Sequence, residues 1–570
     1  MTASEIREKI LATVATNGGH LAASLGAVEL SIALAESFDP YKDRIIWDVG
    51  HQAYAWKILT GRAESFGTLR TFGGLSGFPT PLESQADAAV AGHAGAALSV
   101  AEGYAAARDR KGTDEHIVAI IGDASIVNGM SLEALNFCQT ATNKVIVVLN
   151  DNGMGISRPI GSIARFLGRM LSGVRYNRLK AAVERTGHTL KLTFLRKFYH
   201  RLESRIKSIF LSNSLFETFG LRYIGPIDGH NIAALKQAFI VAKEDKRSVI
   251  LHVITTKGKG YPPAEKDPTS WHGVAPFDRA LGQLRPSTAR TWSTAFGGIL
   301  TKLAEKDDRI VALTAAMKDG TGLCEFAQRF PTRFFDVGIA EEHMVGFAAG
   351  LAAGGLRPVV AIYSTFLQRA IDQVMHDVAI ASLPVIFCID RAGIVGADGM
   401  THQGVFDIAL LRALPNLTIV QPKDEADFEF LLKEALERKG PTAIRYPRGV
   451  IPAFREVAPA PASPKIALWV TGDYLEKANA IAQVRGDVEV VYARQIKPFD
   501  HARLALERQA GLKVVSLENG TIAGGLGEAL GADIRFGWPD CFIPHGSVGE
   551  LEAAYGLDVP SILKRLEEEI

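Results

Sequence analysis

The stretch "VAIIGDASIVNGM", residues 118–130, decides how this chain is read. An apolar run stops at Gly122-Asp123. Residue 152 is an asparagine in "VIVVLNDNGMGIS" (145–157), where a second apolar run breaks into Asn150, Asp151 and Asn152. Strands covered on both faces are apolar throughout. The interval between the two runs holds one helix, so they read as parallel strands of one sheet. In an open parallel sheet, ligands sit beyond the carboxyl ends of the strands, and Asp123 and Asn152 occupy that place. Two oxygen donors side by side suit Mg²⁺, a hard ion that keeps few protein ligands and shares the rest with phosphate and water. Gly122 and the small residues Ala124 and Ser125 would let backbone N–H groups approach a diphosphate. The plainer alternative is that each polar side chain caps a turn or a helix. A helix-sized spacing between the two favours the metal.

Similar runs recur at 116–122, 144–150, 248–256, 309–314, 357–364, 383–390, 417–422, 442–447, 465–472, 488–493 and 512–518, separated by longer amphipathic segments. The alternation predicts an α/β chain of parallel sheets flanked by helices. Two stretches without periodicity, 267–290 and the Pro- and Ala-rich 451–464, divide it into three expected domains: 1–280, 290–450 and 465–570. The 570 residues are 47% hydrophobic and 22% charged, with a net charge of +1. That balance gives no electrostatic case for nucleic acid. No apolar run reaches the roughly 18–20 residues of a membrane span, and the polar N-terminus lacks a signal core. Cys138, Cys324, Cys388 and Cys541 are widely spaced and are expected as buried thiols in a reducing compartment. The expectation is a soluble cytoplasmic protein. Segment 191–210, basic and apolar at helical spacing, reads as a helix packed on the first domain rather than a membrane-surface helix.

The Asp123…Asn152 pair resembles the Gly-Asp-Gly…Asn signature of thiamine diphosphate enzymes. Longer blocks narrow the likeness: "GGHLAASLGAVEL" (18–30), "IIWDVGHQAYAWKILTGR" (45–62), "IGPIDGHN" (224–231), "TTKGKGYPPAEKDPTSWHG" (255–273), "DVGIAEEHMVGFAAGLA" (336–352), "AIYSTFLQRAIDQVMHDVAI" (361–380), "DRAGIVGADGMTHQGVFD" (390–407) and "IRYPRG" (444–449). In order and spacing they resemble 1-deoxy-D-xylulose-5-phosphate synthases, from about residue 15 to the C-terminus. The resemblance implies a transketolase-like fold. It also implies condensation of pyruvate with D-glyceraldehyde 3-phosphate and release of CO₂, feeding isoprenoid synthesis. The implied assembly is a homodimer, with the cofactor between the first and second domains of one subunit.

The resemblance also implies roles. Glu341 would hydrogen-bond the cofactor's aminopyrimidine ring, a task suited to a carboxyl in an apolar setting, and Phe366 would stack on that ring. Asp123 and Asn152, with the Met154 carbonyl, would hold Mg²⁺. His51 and Lys257 would lie near the diphosphate. His20, His51, His272 and His402 would carry protons, with Asp398 beside His402 on the pyruvate side. Arg391 and Arg448, past two strand ends, would take the acceptor phosphate, and Tyr363 and Arg369 would complete the substrate pocket. Any one of these taken singly could be core packing or a surface ion pair.

Residues 92–96 read Gly-His-Ala-Gly-Ala where the family has Gly-His-Ser-Ser-Thr, and Ala124 stands where the signature has glycine. Alanine disfavours left-handed φ, so either φ is negative at Ala124 or the loop has shifted. A segment at the N-terminus that is common in the family is also expected to be absent. The competing readings are a relative with another aldehyde acceptor, a transketolase, a non-catalytic paralogue, or a nicotinamide enzyme reading "GGLGEALG" (524–531) as its dinucleotide loop.

Overall fold

Both runs of the opening stretch lie in one parallel sheet. The structure, a computed structural model, describes residues 1–142, 144–153, 215–284 and 289–570. The expectations for Met154 and for segment 191–210 fall outside these residues. Strands β1 (Arg44–Trp47), β2 (Ile117–Gly122), β3 (Ile146–Asp151), β4 (Arg222–Asp228) and β5 (Val249–Ile254) pair in the order β1-β2-β3-β5-β4. Every pairing is parallel. The register sets Gly122 against Asn150, so Asp123 follows one strand just where Asp151 ends its neighbour.

Alternate residues of β2 serve opposite cores, as the strand period requires. Val118 and Ile120 pack with Leu34, Trp56 and Phe239; Ala119 and Ile121 pack with Leu98, Leu135 and Cys138. Helix Gly129–Ala141 returns the chain from β2 to β3, and the Asn128 side chain caps it by accepting from Met130 N–H at 3.1 Å. Strand β4 gave no apolar run because it is an edge strand, half exposed along its length; one free edge also tolerates its proline.

Further along, β6 (Ile310–Thr314), β7 (Phe334–Asp336), β8 (Arg357–Tyr363), β9 (Ile386–Asp390), β10 (Thr418–Val420) and β11 (Thr442–Arg445) build a second sheet. The C-terminal block supplies β12 (Ile466–Val470), β13 (Val488–Tyr492), β14 (Gln495–Lys497), β15 (Lys513–Thr521) and β16 (Ile534–Trp538). Strand β14 crosses over to join the second sheet, whose order is β14-β10-β11-β9-β8-β6-β7, and it pairs antiparallel to β10. The third sheet runs β13-β12-β15-β16, all parallel. The chain folds as two units, Met1–Gly67 with Phe78–Leu284 and Thr68–Gly77 with Arg285–Ile570. The second and third sheets therefore share a unit, and one apolar cluster runs through both, including Val360, Phe387, Trp469 and Val514.

A buried polar knot also joins those two sheets. Arg445 donates through Nε to Asp407 at 2.7 Å, and through Nη1 to Asn519 at 2.9 Å and Gln421 at 3.2 Å. Gln421 in turn accepts from Gly472 N–H at 2.7 Å. Nearby, the dinucleotide-like loop is closed by the chain itself: the buried Glu518 carboxylate accepts from Leu526 and Gly527 N–H at 2.5 and 2.7 Å. Those amides are taken, which removes the phosphate cradle of the nicotinamide reading. Cys138 and Cys388 are buried as expected, but Cys324 and Cys541 are exposed; they lie on loops and a helix start outside the apolar runs.

Removing one partner of a buried, hydrogen-bonded ion pair leaves the other uncompensated, at a cost of about 3–5 kcal/mol. Arg445→Met is therefore expected to destabilise the chain by an amount in that range in urea unfolding. A loss below about 1 kcal/mol would contradict the structural role given to this knot.

Candidate active site

In the first unit the chemistry gathers at the carboxyl ends of β2, β3 and β5. Asp123 is 5% exposed. Burial, then the neighbouring Asp151 charge, pushes its carboxyl up to about 7, against backbone N–H groups and the Lys257 ammonium. Asp151 itself is engaged: Oδ1 accepts from Gly153 N–H at 2.9 Å and Oδ2 meets His252 Nε2 at 2.8 Å. Asn150 Oδ1 accepts from the Thr255 hydroxyl at 2.6 Å. Asn152, the residue after Asp151, is half-buried. Lys257 follows β5 and is buried, and burial brings its ammonium down to about 8 although Asp123 opposes this.

Among the described non-glycine residues, left-handed φ occurs at Val49, Arg70, Ala316, Ser382, Arg391 and Asn416. Ala124 is not among them, so alanine carries no backbone penalty there. Among the described residues, a Cβ placed on Gly122 would meet only the Ser125 hydroxyl, at 4.0 Å. Space therefore remains over the strand end for a group that approaches the backbone. The altered 92–96 loop has its own cause. Gly95 has φ +88°, and a Cβ there would stand 2.4 Å from the Asn128 carboxamide oxygen. Asp48 holds this loop by accepting from Gly95 and Ala97 N–H at 2.9 and 3.2 Å.

Three predicted histidines form a cluster. Ring centroids lie 6.0 Å apart for His20–His51, 5.7 Å for His20–His272 and 5.1 Å for His51–His272. The short antiparallel pairing of Gly19–His20 with Gly273–Val274 brings the first and last together. His51 follows the left-handed pair Val49 and Gly50, at φ +59° and +80°. Gly50 is required, because a Cβ there would stand 2.6 Å from Pro79. Burial, then neighbouring charges, lowers His51 and His272 well below the ordinary imidazole value. Both are neutral at pH 7, able to accept or pass a proton.

In the second unit Glu341 opens helix Glu341–Ala353 and is 4% exposed. Burial pushes its carboxyl up to about 7, although the Arg369 guanidinium lies 3.8 Å from Oε2. Oε2 has no hydrogen-bond partner among the described residues. A buried carboxyl oxygen left open in this way, on a group that keeps a proton near neutrality, would share that proton with a ring nitrogen of a bound cofactor. Phe366 stacks on Tyr363 with centroids 5.7 Å apart, and the His402 ring meets Phe366 edge-on at 5.7 Å. Arg391 lies 3.5 Å over the Tyr363 ring. Burial, then the Arg448 charge, lowers the Arg391 guanidinium to about 9. Arg448 is exposed.

Asp398 is paired with Arg70 at 3.0 Å. Arg70 escaped the sequence reading: "TLRTFGGLSG" (68–77) reads as a turn-rich loop, and nothing in it marks an arginine that joins the second unit. His545 Nε2 donates to Gly74 O at 2.9 Å and pins that loop. Gly320 was also missed; a Cβ there would stand 1.8 Å from the Tyr363 hydroxyl.

Residues 1–255 match the family described as 1-deoxy-D-xylulose-5-phosphate synthase, and residues 288–453 match the transketolase pyrimidine binding domain. Such families depend on thiamine diphosphate. A relative from Geobacter metallireducens, named 1-deoxy-D-xylulose-5-phosphate synthase 1, is 46% identical and covers 99% of this chain and 95% of its own. One from Desulforudis audaxviator, named 1-deoxy-D-xylulose-5-phosphate synthase, is 46% identical and covers 100% and 94%. A solved transketolase from Campylobacter jejuni is 18% identical, with a TM-score of 0.46, covering 99% of this chain and 98% of its own. An identity of 46% with the Geobacter and Desulforudis relatives over nearly the whole length has one consequence: the chain belongs to the 1-deoxy-D-xylulose-5-phosphate synthase family.

Proposed function

We propose that this protein joins pyruvate to D-glyceraldehyde 3-phosphate with loss of CO₂, giving 1-deoxy-D-xylulose 5-phosphate, and that it uses thiamine diphosphate and Mg²⁺. The observation that carries the reading is Glu341, a buried carboxyl near 7 with one oxygen that accepts no hydrogen bond among the described residues, in a chain of this family. When bound, thiamine diphosphate supplies the nucleophilic carbon and the electron sink that decarboxylation of a 2-oxo acid needs.

The chain's own groups do the rest. Glu341 would bond the aminopyrimidine ring of the bound cofactor; a carboxyl poised near neutrality can hold or release a proton there. Phe366 would stack on that ring. Asp123 and Asn152 would hold Mg²⁺, and a divalent cation there would favour the ionised form of Asp123. Lys257 and the Gly122–Ser125 backbone would bind the diphosphate. His20, His51 and His272, neutral by burial in the latter two, move protons to and from the reacting oxygens. His402 and Asp398, the latter paired with Arg70, bind the pyruvate-derived part. Burial and then the Arg448 charge lower the Arg391 guanidinium, and an acceptor phosphate relieves that repulsion; Tyr363 and Arg369 line the same pocket. The protein works as a homodimer in the cytoplasm on this reading, supported by the family likeness. Among the described residues no helix is long and apolar enough to cross a membrane.

Mass spectrometry of the product from pyruvate and a panel of aldehydes is expected to find 1-deoxy-D-xylulose 5-phosphate with glyceraldehyde 3-phosphate and to find CO₂ released. No CO₂ from pyruvate with or without the aldehyde would overturn the reading. Glu341→Gln should lower kcat by about 10²–10⁴-fold while thiamine diphosphate still binds; a loss under tenfold would refute the role. The same residue predicts a pH effect on the cofactor-free chain. Its folded value, about 7, lies above the ordinary 4.5, so ionisation is resisted in the folded state. The resulting destabilisation is absent below about pH 4.5 and grows to at most ~3 kcal/mol above pH 7. Glu341→Gln should therefore gain stability over wild type at pH 8 but not at pH 4.5, measured by urea unfolding.

A further inference from the structure

The "IGPIDGHN" block ends in His230, which takes no part in the chemistry above, yet the structure gives both of its ring nitrogens defined partners. Thr256 N–H donates to His230 Nε2 at 2.8 Å. A backbone amide can only donate, so Nε2 carries no proton, and Nδ1–H points to Glu29 at 3.0 Å. Glu29 also accepts from Arg7 at 2.6 Å. Burial alone would raise the Glu29 carboxyl, but the bonds from His230 and Arg7 hold it down, to about 2. Arg7 Nε then donates to Lys259 O at 2.9 Å.

The three side chains thus grip the segment after β5 at two points, the Thr256 amide and the Lys259 carbonyl. Lys257 lies between them. A third grip comes from Gly258 N–H, which donates to Ala22 O at 2.7 Å. Close packing reinforces it: a Cβ on Gly26 would stand 2.8 Å from Thr256 O, and one on Gly260 would stand 2.8 Å from Arg7. The grip fixes the backbone on both sides of a buried ammonium that has little freedom of its own.

We propose that His230 is a positioning residue: with Glu29 and Arg7 it holds the 256–259 backbone so that Lys257 faces the diphosphate end of the cofactor. The positioning claim concerns the cofactor-free chain; its use for the diphosphate rests on the function proposed above.

Two near-isosteric variants separate the contacts. Gln reaches the place of Nε2 and keeps an acceptor for Thr256 N–H. Asn matches Nδ1, keeps a donor for Glu29 and cannot reach Thr256. Amide hydrogen exchange by mass spectrometry on the full-length cofactor-free protein is expected to show peptides covering 255–260 exchanging at least tenfold faster in His230→Asn and within about threefold of wild type in His230→Gln. Titration calorimetry with thiamine diphosphate and Mg²⁺ is expected to show at least fivefold weaker binding for His230→Asn, with His230→Gln close to wild type. Wild-type exchange in His230→Asn, or equal loss in both variants, would overturn the proposal. Lys257→Met separates the two levels. Unchanged affinity in that variant, with fast exchange in His230→Asn, leaves the grip standing and sinks the cofactor role of Lys257.

Discussion

Gly122 pairs with Asn150 in a parallel register, and from that single alignment follows the adjacency of Asp123 and Asp151. Like charges in a buried setting raise one another's pKa. Both Asp151 oxygens are bonded, one to the Gly153 amide and one to His252, whose other nitrogen meets the Tyr223 hydroxyl at 2.7 Å. Burial and then the Asp151 charge push the Asp123 carboxyl up. Lys257 reduces this rise without cancelling it, because burial weakens the lysine's own hold on its proton. The first unit thus holds an electrostatic imbalance that a cation between the strand ends would correct.

The second unit keeps a similar imbalance by other means. Asp390 is fully buried at the end of β9 with one oxygen accepting from the Ser293 hydroxyl at 2.6 Å. The next residue, Arg391, takes a left-handed φ of +59°, a conformation that costs of order 1–3 kcal/mol in a residue of this size. The turn aims its guanidinium over Tyr363. Strain, a desolvated cation and the Arg448 charge all concentrate at one strand end, where an anionic ligand relieves the electrostatic part. Destabilising arrangements of this kind are expected at binding sites and are out of place in a purely structural core.

What could be read from the chain alone follows the same physics. The eleven apolar runs became strands because burial on both faces demands an unbroken apolar sequence. Strands β1, β4, β7, β14 and β16 escaped, and all five lie at sheet edges, where one side needs no partner and composition is freer. Asp123 was singled out by a turn after an apolar strand, and Glu341 only by the family resemblance of its block, since a helix start alone would not have marked it. Arg70, Gly320 and His230 were not, since their roles arise from contacts with residues far away in sequence: Arg70 with Asp398, Gly320 with the Tyr363 hydroxyl, His230 with Glu29 and Thr256. Ala124 turned out to be unremarkable in backbone terms, and the coupling of Gly95 to Asn128 lay outside any local pattern.

The ten residues Thr68–Gly77 leave the first unit and complete the second. Synthesis runs from the N-terminus, so this segment emerges more than two hundred residues before the rest of the unit it belongs to. It must wait, and Asp398 and His545 must be made before its arginine and its Gly74 carbonyl find their partners. The linear order of the gene and the modular order of the folded chain therefore differ. A gene cut at residue 285 would not separate two self-sufficient modules: the downstream product would lack Arg70 altogether, and the upstream product would carry a loop with nowhere to dock.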